Sequence, residues 1–255
     1  MSERATCVLC PNPSPMTLDG TNTWIVAEPG STDAVVIDPG PLDEAHLARV
    51  IAQVERTGRR VALTLLTHGH LDHAESAERF HALTGAPVRA FGRGHDDVEP
   101  GEVIRVGGLE LVAIATPGHS SDSYSYLVPA DTMLLTGDTI LGRGTTVVAW
   151  PDGHLESYLE SLQRIEAMTQ TGQVAGILPG HGPFVEDAAG TATFYLSHRA
   201  ERLDQVRAAL AAGDSTAREV VERVYADVPR TVWGAAEMSV QAQLEYLREQ
   251  PSIDD

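Results

Sequence analysis

Short apolar, β-branched runs closed by Gly, Pro or Asp alternate along the chain with stretches whose apolar residues recur every three or four positions. These are the signatures of strands and of amphipathic helices. TWIVA (23–27) and AVVID (34–38) read as adjacent strands, and VALTLL (61–66) as a buried one. DEAHLARVIAQVERTG (43–58) puts Leu47, Val50, Ile51 and Val54 on one helix face and stops at Gly58. AESAERFHALTG (74–85) predicts a second helix ended by Gly85. EVIRVGGLELVAIAT (102–116) predicts a hairpin turning at Gly107-Gly108, followed by strands SYSYLV (123–128) and TMLLT (132–136).

HLESYLESLQRIEAM (154–168) carries a helical stripe of Leu155, Leu159, Leu162 and Ile165, and VAGILP (174–179) is one more strand. Beyond residue 190 the pattern is helical, over 191–212, 216–226 and 239–249. The stripes there are Leu196, Leu203, Val206 and Leu210, then Val220, Val221 and Val224, then Leu244 and Leu247. Such stripes need a partner surface. Two rounds of strand–helix alternation, each led by antiparallel strand pairs, predict an α+β chain. Two sheets pack face to face with helices outside. The expected division is a main domain over 1–190 and a small helical domain over 191–255.

Composition narrows the function classes. The 255 residues are 42% apolar and 21% charged, as in an ordinary globular protein. No segment approaches the ~18 apolar residues of a membrane span, and MSERATCVLCPNPSP lacks the apolar core of a signal peptide. A cytoplasmic protein without a membrane partner is expected. All 18 basic residues are arginine, so Schiff-base chemistry and a GK[ST] phosphate loop are excluded. The net charge of −18 argues against tight binding of long duplex nucleic acid, where phosphate contacts dominate affinity. Cys7 and Cys10 cannot build a disulfide framework and read as small, partly buried residues. Trp24, Trp150 and Trp233 read as core.

One stretch carries chemistry. THGHLDH (67–73) packs His68, His70, Asp72 and His73 directly after a buried strand. His119 in TPGHS, Asp138 in LLTGDT and His181 in LPGHG likewise follow apolar strands and sit beside glycine, where backbone approaches a ligand closely. Imidazole and carboxylate donors without thiolate suit a pair of zinc ions. The expected assignment is His68, His70 and His119 on one ion, Asp72, His73 and His181 on the other, and Asp138 bridging. Read one at a time, these are ordinary turn histidines and helix caps. Together, their type, spacing and strand-end placement agree.

HGHLDH is the H-x-H-x-D-H motif, and with His119, Asp138 and His181 the chain resembles the metallo-β-lactamase superfamily over its first 190 residues. That resemblance implies a four-layer αββα sandwich with the site along one edge. NPSPMTLDGTNTWIV, LGRGTTVV, LPGHGP and YLSHR, then a helical tail, are similar to the subgroup containing the mitochondrial β-lactamase-like endoribonuclease. There the tail forms a winged-helix-like domain, although the residues after YLREQ leave little length for a wing hairpin.

The implied activity is zinc-dependent hydrolysis by a metal-bridging hydroxide, with Asp72 and Asp138 in the catalytic centre. Two divalent ions, two aspartates and a hydroxide leave about one net positive charge, which attracts an anionic substrate. The leading expectation is phosphodiester cleavage in short single-stranded RNA, with Arg143, His198 and Arg199 on the substrate. Thr145 and Thr146 offer hydroxyls to a substrate, but as a β-branched pair they read first as strand. Thioester hydrolysis in the manner of glyoxalase II is the alternative. A persulfide dioxygenase with one iron keeps the same motif, and flavo-diiron proteins differ by a Glu at the position of His70. A homodimer is compatible with all of these.

Overall fold

The computed structural model describes residues 2–250. Strands β1 (Ala5–Leu9), β2 (Asn22–Val26), β3 (Asp33–Ile37), β4 (Arg60–Leu65) and β5 (Val88–Arg89) form one sheet in that order. Strands β6 (Val103–Val106), β7 (Leu109–Ala115), β8 (Tyr124–Val128), β9 (Met133–Gly137) and β10 (Gly176–Pro179) form the second, in the order β10-β9-β8-β7-β6.

Both sheets are mixed, which corrects the expectation of antiparallel dominance in the first. β3–β4, β4–β5 and β9–β10 pair parallel. Each parallel pair encloses a helix, because a parallel neighbour can be reached only by a crossover. The helices are α1 (Glu44–Arg56), the short α2 (Leu71–Ala74) with α3 (Ala77–Thr84), and α4 (Leu155–Gln170). Helix α1 starts at Asp43, whose side chain accepts from the His46 amide at 2.9 Å.

Alternate residues of a strand point to opposite faces, and here both faces are covered. Trp24, Val26, Val35 and Ile37 meet Leu111, Ala113, Tyr126 and Leu135 of the second sheet. Ile25, Ala34 and Val36 point outward onto Leu47, Val50 and Val54 of α1. On the far side, Leu127, Leu134 and Ile177 pack on Leu155, Tyr158, Leu162 and Ile165 of α4. Two-sided burial explains why these runs read as continuous apolar segments instead of alternating ones. It also fixes four layers, helix–sheet–sheet–helix.

Helix α5 (Ala188–Ala211) ties the layers to the tail. Ala188, Ala192 and Tyr195 pack on α4 and the second sheet, whereas Val206 and Ala209 turn to α6 (Ala217–Val224) and α7 (Trp233–Glu249). The expected division at residue 190 therefore falls inside a continuous helix. Val220, Val221, Trp233, Ala236, Val240 and Leu244 complete this smaller core. A capping box of Thr216 and Glu219 starts α6. Helix α7 begins six positions before the expected 239, at Trp233, because Gly234 weakens the local helical signal although Trp233 and Ala236 are buried. Leu210, placed on the buried stripe, is 37% exposed. Residues beyond 250, where a wing hairpin would follow, lie outside the described residues.

Cys7 is exposed and Cys10 buried; Trp150 is 37% exposed while Trp24 and Trp233 are buried. No helix among the described residues is long and apolar enough to cross a membrane.

Candidate metal centre

Strands β7 and β9 run in the same direction on either side of β8, and β10 is parallel to β9, so their carboxyl ends share one edge. The carboxyl ends of the parallel β3 and β4 lie against that edge, held by the Tyr124 amide on Thr67 O at 2.7 Å and the Tyr126 hydroxyl on Leu66 O at 2.8 Å. All seven expected ligands are brought together there. The donor atoms of His68, His70 and His119 lie within 4.8 Å of one another, as do those of Asp72, His73 and His181 and those of His68, His73 and Asp138.

The hydrogen bonds behind the imidazoles decide which nitrogen faces the centre. His119 Nδ1 lies 2.7 Å from Val147 O and His181 Nδ1 lies 3.0 Å from Gly20 O. A carbonyl only accepts, so each Nδ1 carries the hydrogen and, in the neutral ring, each Nε2 presents a lone pair. His73 Nδ1 donates to Asp38 Oδ2 at 2.9 Å. Thr67 Oγ1 gives its hydrogen to the same carboxylate at 2.6 Å, so it accepts from His68 Nδ1 at 3.0 Å. Four histidines thus aim Nε2 atoms inward, free to bind a cation once no proton occupies them. Outer-shell partners of this kind fix tautomer and ring orientation in metal sites.

The inward atoms crowd. His73 Nε2 and His181 Nε2 are 3.1 Å apart; His70 Nδ1 is 3.1 Å from His68 Nε2 and 2.9 Å from His119 Nε2. Facing lone pairs repel unless a cation or proton lies between them. Asp138 joins the two groups: Oδ1 is 3.4 Å from both His73 Nε2 and His181 Nε2, and Oδ2 is 3.7 Å from His119 Nε2. Buried Asp138 Oδ1 has no hydrogen-bond partner. Gly180 leaves the space these atoms need, since a Cβ there would stand 2.7 Å from Asp138 Oδ1 and His73 Cε1. An orphaned carboxylate oxygen amid inward imidazole nitrogens fits metal ions held by His68, His70, Asp72, His73, His119, Asp138 and His181.

Charge follows the same layout. Burial alone would push Asp138 up, but the facing His181 and His73 hold it well below the usual carboxylate range. Where no cation lies between them, His181 and His73 take up a proton in its place. Burial lowers both, but the Asp138 carboxylate overcomes it, raising His181 to about 9 and His73 well above the usual imidazole range. Burial and the neighbouring His73 and His119 push His68 down.

Asp38 is the functional residue that sequence reasoning missed. It sits at φ +52° directly after β3, buried, and its carboxylate also accepts the Thr67 amide at 2.7 Å. Its carbonyl takes the Thr23 hydroxyl at 2.7 Å, which leaves that oxygen to accept from His46 Nε2 at 2.8 Å. The strained backbone is over-determined by these bonds. Its only sequence signal is an aspartate at a strand end before Pro39-Gly40.

His46 supplies a pH test of this support. Burial and the nearby Arg49 push its pKa down to about 4. Unfolded, it binds a proton near pH 6.5, so between 6.5 and 4 the unfolded state holds more protons and stability falls as pH falls. We expect a loss on the order of 2 kcal/mol from this group across that window and none above it. Urea unfolding at pH 7 and 4.5 should show a smaller drop for His46→Gln than for wild type. Equal drops would contradict the assignment.

The expected substrate residues fare differently. Arg143 is exposed at the cleft rim, and its guanidinium grips Asp19 at 2.5 and 2.9 Å. Arg199, expected at the substrate, is buried at 3% exposure: it donates to Thr146 O and lies 5.0 Å over the Tyr158 ring. Thr146 Oγ1 in turn donates to Asp138 O. Both residues are therefore committed to holding the Asp138 loop, a correction that an amphipathic helix pattern could not reveal. Half-buried His198 receives Arg202 Nε on its Nε2 at 3.4 Å. Arg93 lies against Gly69 within the histidine loop and pairs with Asp122 at 2.5 Å. A cavity of about 190 Å³ opens on His119 and Asp138, walled by Met16, Leu18, Leu141 and Arg143.

A family model of the metallo-beta-lactamase superfamily matches residues 16–95 and 90–181, and one of the beta-lactamase associated winged helix domain matches residues 216–252. The chain belongs to the metallo-beta-lactamase superfamily, and it is a hydrolase of that fold. It is 30% identical over 260 residues to a beta-lactamase-like protein 2 homolog of Caenorhabditis elegans, covering 97% of this chain and 85% of the relative. It is 32% identical over 254 residues to an atrochrysone carboxyl ACP thioesterase of Aspergillus fumigatus, covering 91% and 76%. A solved metallo-beta-lactamase family protein of Thermus thermophilus superposes with a TM-score of 0.81 at 22% identity, covering 96% of this chain and 93% of that one. The last likeness speaks to fold alone.

Proposed function

We propose that the protein hydrolyses acyl thioesters at a pair of zinc ions. The observation that carries this reading over RNA cleavage is the state of the arginines beside the metal end. Among the described residues, only Arg202 of these, in the adjoining cavity at the tail helices, is left without a carboxylate or a backbone carbonyl, and one cation does not make a track for a polyanion. Arg143 is neutralised by Asp19, Arg93 by Asp122, and Arg199 is buried on Thr146. A phosphodiester backbone needs free cations along its path. The metal end of the cleft instead offers Met16, Leu18 and Leu141, walls suited to an acyl chain. Similarity to a protein named as an ACP thioesterase supports the same chemistry.

Two zinc ions held here would supply a water deprotonated near neutral pH and an electrophile for the acyl oxygen. The residues do the rest. The four inward Nε2 atoms and His70 Nδ1 divide between two positions, and the two Asp138 oxygens face one each. Asp72, 30% exposed against 12% for Asp138, is the carboxylate open to the cleft. It is placed to take the remaining proton of the attacking oxygen as the acid product forms and to return it to the departing thiolate. The Asp38–Thr67 network keeps His68 and His73 from turning.

The test is kcat/KM of zinc-loaded protein on a neutral butyryl thioester of N-acetylcysteamine and on a single-stranded RNA oligonucleotide. Thioester turnover should be rapid, lost on chelation and restored by zinc, with RNA left intact. RNA cleavage by a protein inert to thioesters would reverse the reading.

A further inference from the structure

Beyond the cleft, a second cavity of about 240 Å³ runs between the loop over 145–147 and the tail helices α5 and α7. It shares Pro15, Met16, Thr145, Thr146 and Val147 with the cavity on His119 and Asp138, so the two adjoin along one wall. Its far walls are apolar, with Val228, Val232 and Ala236. It also carries positive charge next to the reaction centre. In a protein of net charge −18, this cavity is lined by two arginines, Arg199 and Arg202, and by no aspartate or glutamate.

Neither guanidinium has a carboxylate within 4.0 Å among the described residues, whereas Arg4, Arg79, Arg89, Arg93 and Arg143 all do. Arg202 is held in place by lying 4.6 Å over the Tyr225 ring and by giving Nη1 to Gln205 Oε1 at 2.8 Å and Nε to His198 Nε2. Its Nη2 makes no protein hydrogen bond among the described residues. Because His198 Nε2 accepts from Arg202, the neutral ring carries its hydrogen on Nδ1, and that buried donor finds no acceptor; nor does Arg199 Nε. Burial and the two arginines push the His198 pKa down to about 4, so the ring stays neutral. A positioned cation with a free Nη2, beside apolar walls and with the buried Arg199 charge behind it, defines a receptor for an anion on an apolar arm.

We propose that this tail cavity binds a terminal anionic group of the substrate, a carboxylate or phosphate carried on an apolar arm, with Arg202 as its principal contact. The inference rests on the reading of the metal end as the reaction centre but does not need the thioester assignment. It explains how an acidic protein selects an anionic substrate: one anion is recognised in one acid-free pocket, away from the reacting carbonyl. Because the contact lies in the adjoining cavity and not among the metal ligands, Arg202 is a specificity residue, and its loss should raise KM without lowering kcat.

Calorimetric binding to the zinc-loaded protein tests this with three matched probes, hexanoate, hexyl phosphate and hexanamide. At least one anion should bind ~10-fold or more tightly than hexanamide, the usual worth of a charge-assisted hydrogen bond. The tighter anion identifies the group. Arg202→Gln should erase that advantage, and Ala235→Trp, which fills the cavity, should abolish binding of all three with zinc content unchanged. Thermal melting confirms that each variant is folded. Anion binding unaffected by both variants would place the anion on the metals and overturn the proposal, as would hexanamide binding as tightly as the anions. Arg202-dependent binding in a protein inert to thioesters would leave the pocket standing and remove only the thioester reading.

Discussion

Replacing Asp138 by alanine is expected to lower kcat/KM on a thioester by ~10³-fold or more and to reduce bound metal from two ions to one or fewer. The magnitude is that of losing several kcal/mol of metal-derived stabilisation in the transition state. The reason is geometric. Asp138 alone presents one oxygen to the His73–His181 pair and the other to His119, so its removal cuts the link between both positions. The fold should survive, because β9 is held by Leu134 and Leu135 in two separate apolar cores. Circular dichroism and elemental analysis on the same sample separate the two effects. A variant with near-normal turnover would show that Asp138 does not bridge.

The second large effect lies outside the ligand set. Asp38→Asn keeps the side-chain shape and tolerates φ +52°, since asparagine is among the residues that adopt left-handed backbone. It cannot, however, accept from the Thr67 amide, the Thr67 hydroxyl and His73 Nδ1 at once. His68 and His73 lose their anchoring together. Zinc affinity should fall ~10–100-fold, the usual cost of removing an outer-shell partner, and stability by about 1–3 kcal/mol for the buried donors left unmet. Excess zinc should restore much of the activity by mass action, whereas it should not rescue Asp138→Ala. Competitive chelator titrations give both affinities. Unchanged zinc affinity in Asp38→Asn would remove Asp38 from the site.

That contrast shows what a sequence can and cannot reveal here. His68, His70, Asp72 and His73 were readable because they crowd one loop, and His119, Asp138 and His181 because each stands beside glycine at a strand end. Asp38 looked like any strand-terminal aspartate. Its role appears only when β3 is laid parallel to β4, which depends on the crossover through α1. Arg199 failed for the opposite reason: a charged position on an amphipathic helix reads as solvent-facing, yet Tyr158 and the Thr146 carbonyl draw it inside. Strand β5 is only two residues long, and β1 leaves Thr6, Cys7 and Leu9 exposed with no residue fully buried, so neither carries a usable hydrophobic period. The tail cavity was unreadable altogether, because its walls come from segments near residues 15, 146, 202 and 236.

The most direct test is to titrate zinc into metal-free protein while following hydrolysis of the butyryl thioester. Activity should rise until two equivalents are bound and stay flat beyond, with no oxygen consumed. A plateau at one equivalent, or activity that requires iron and consumes oxygen, would contradict a two-metal hydrolase.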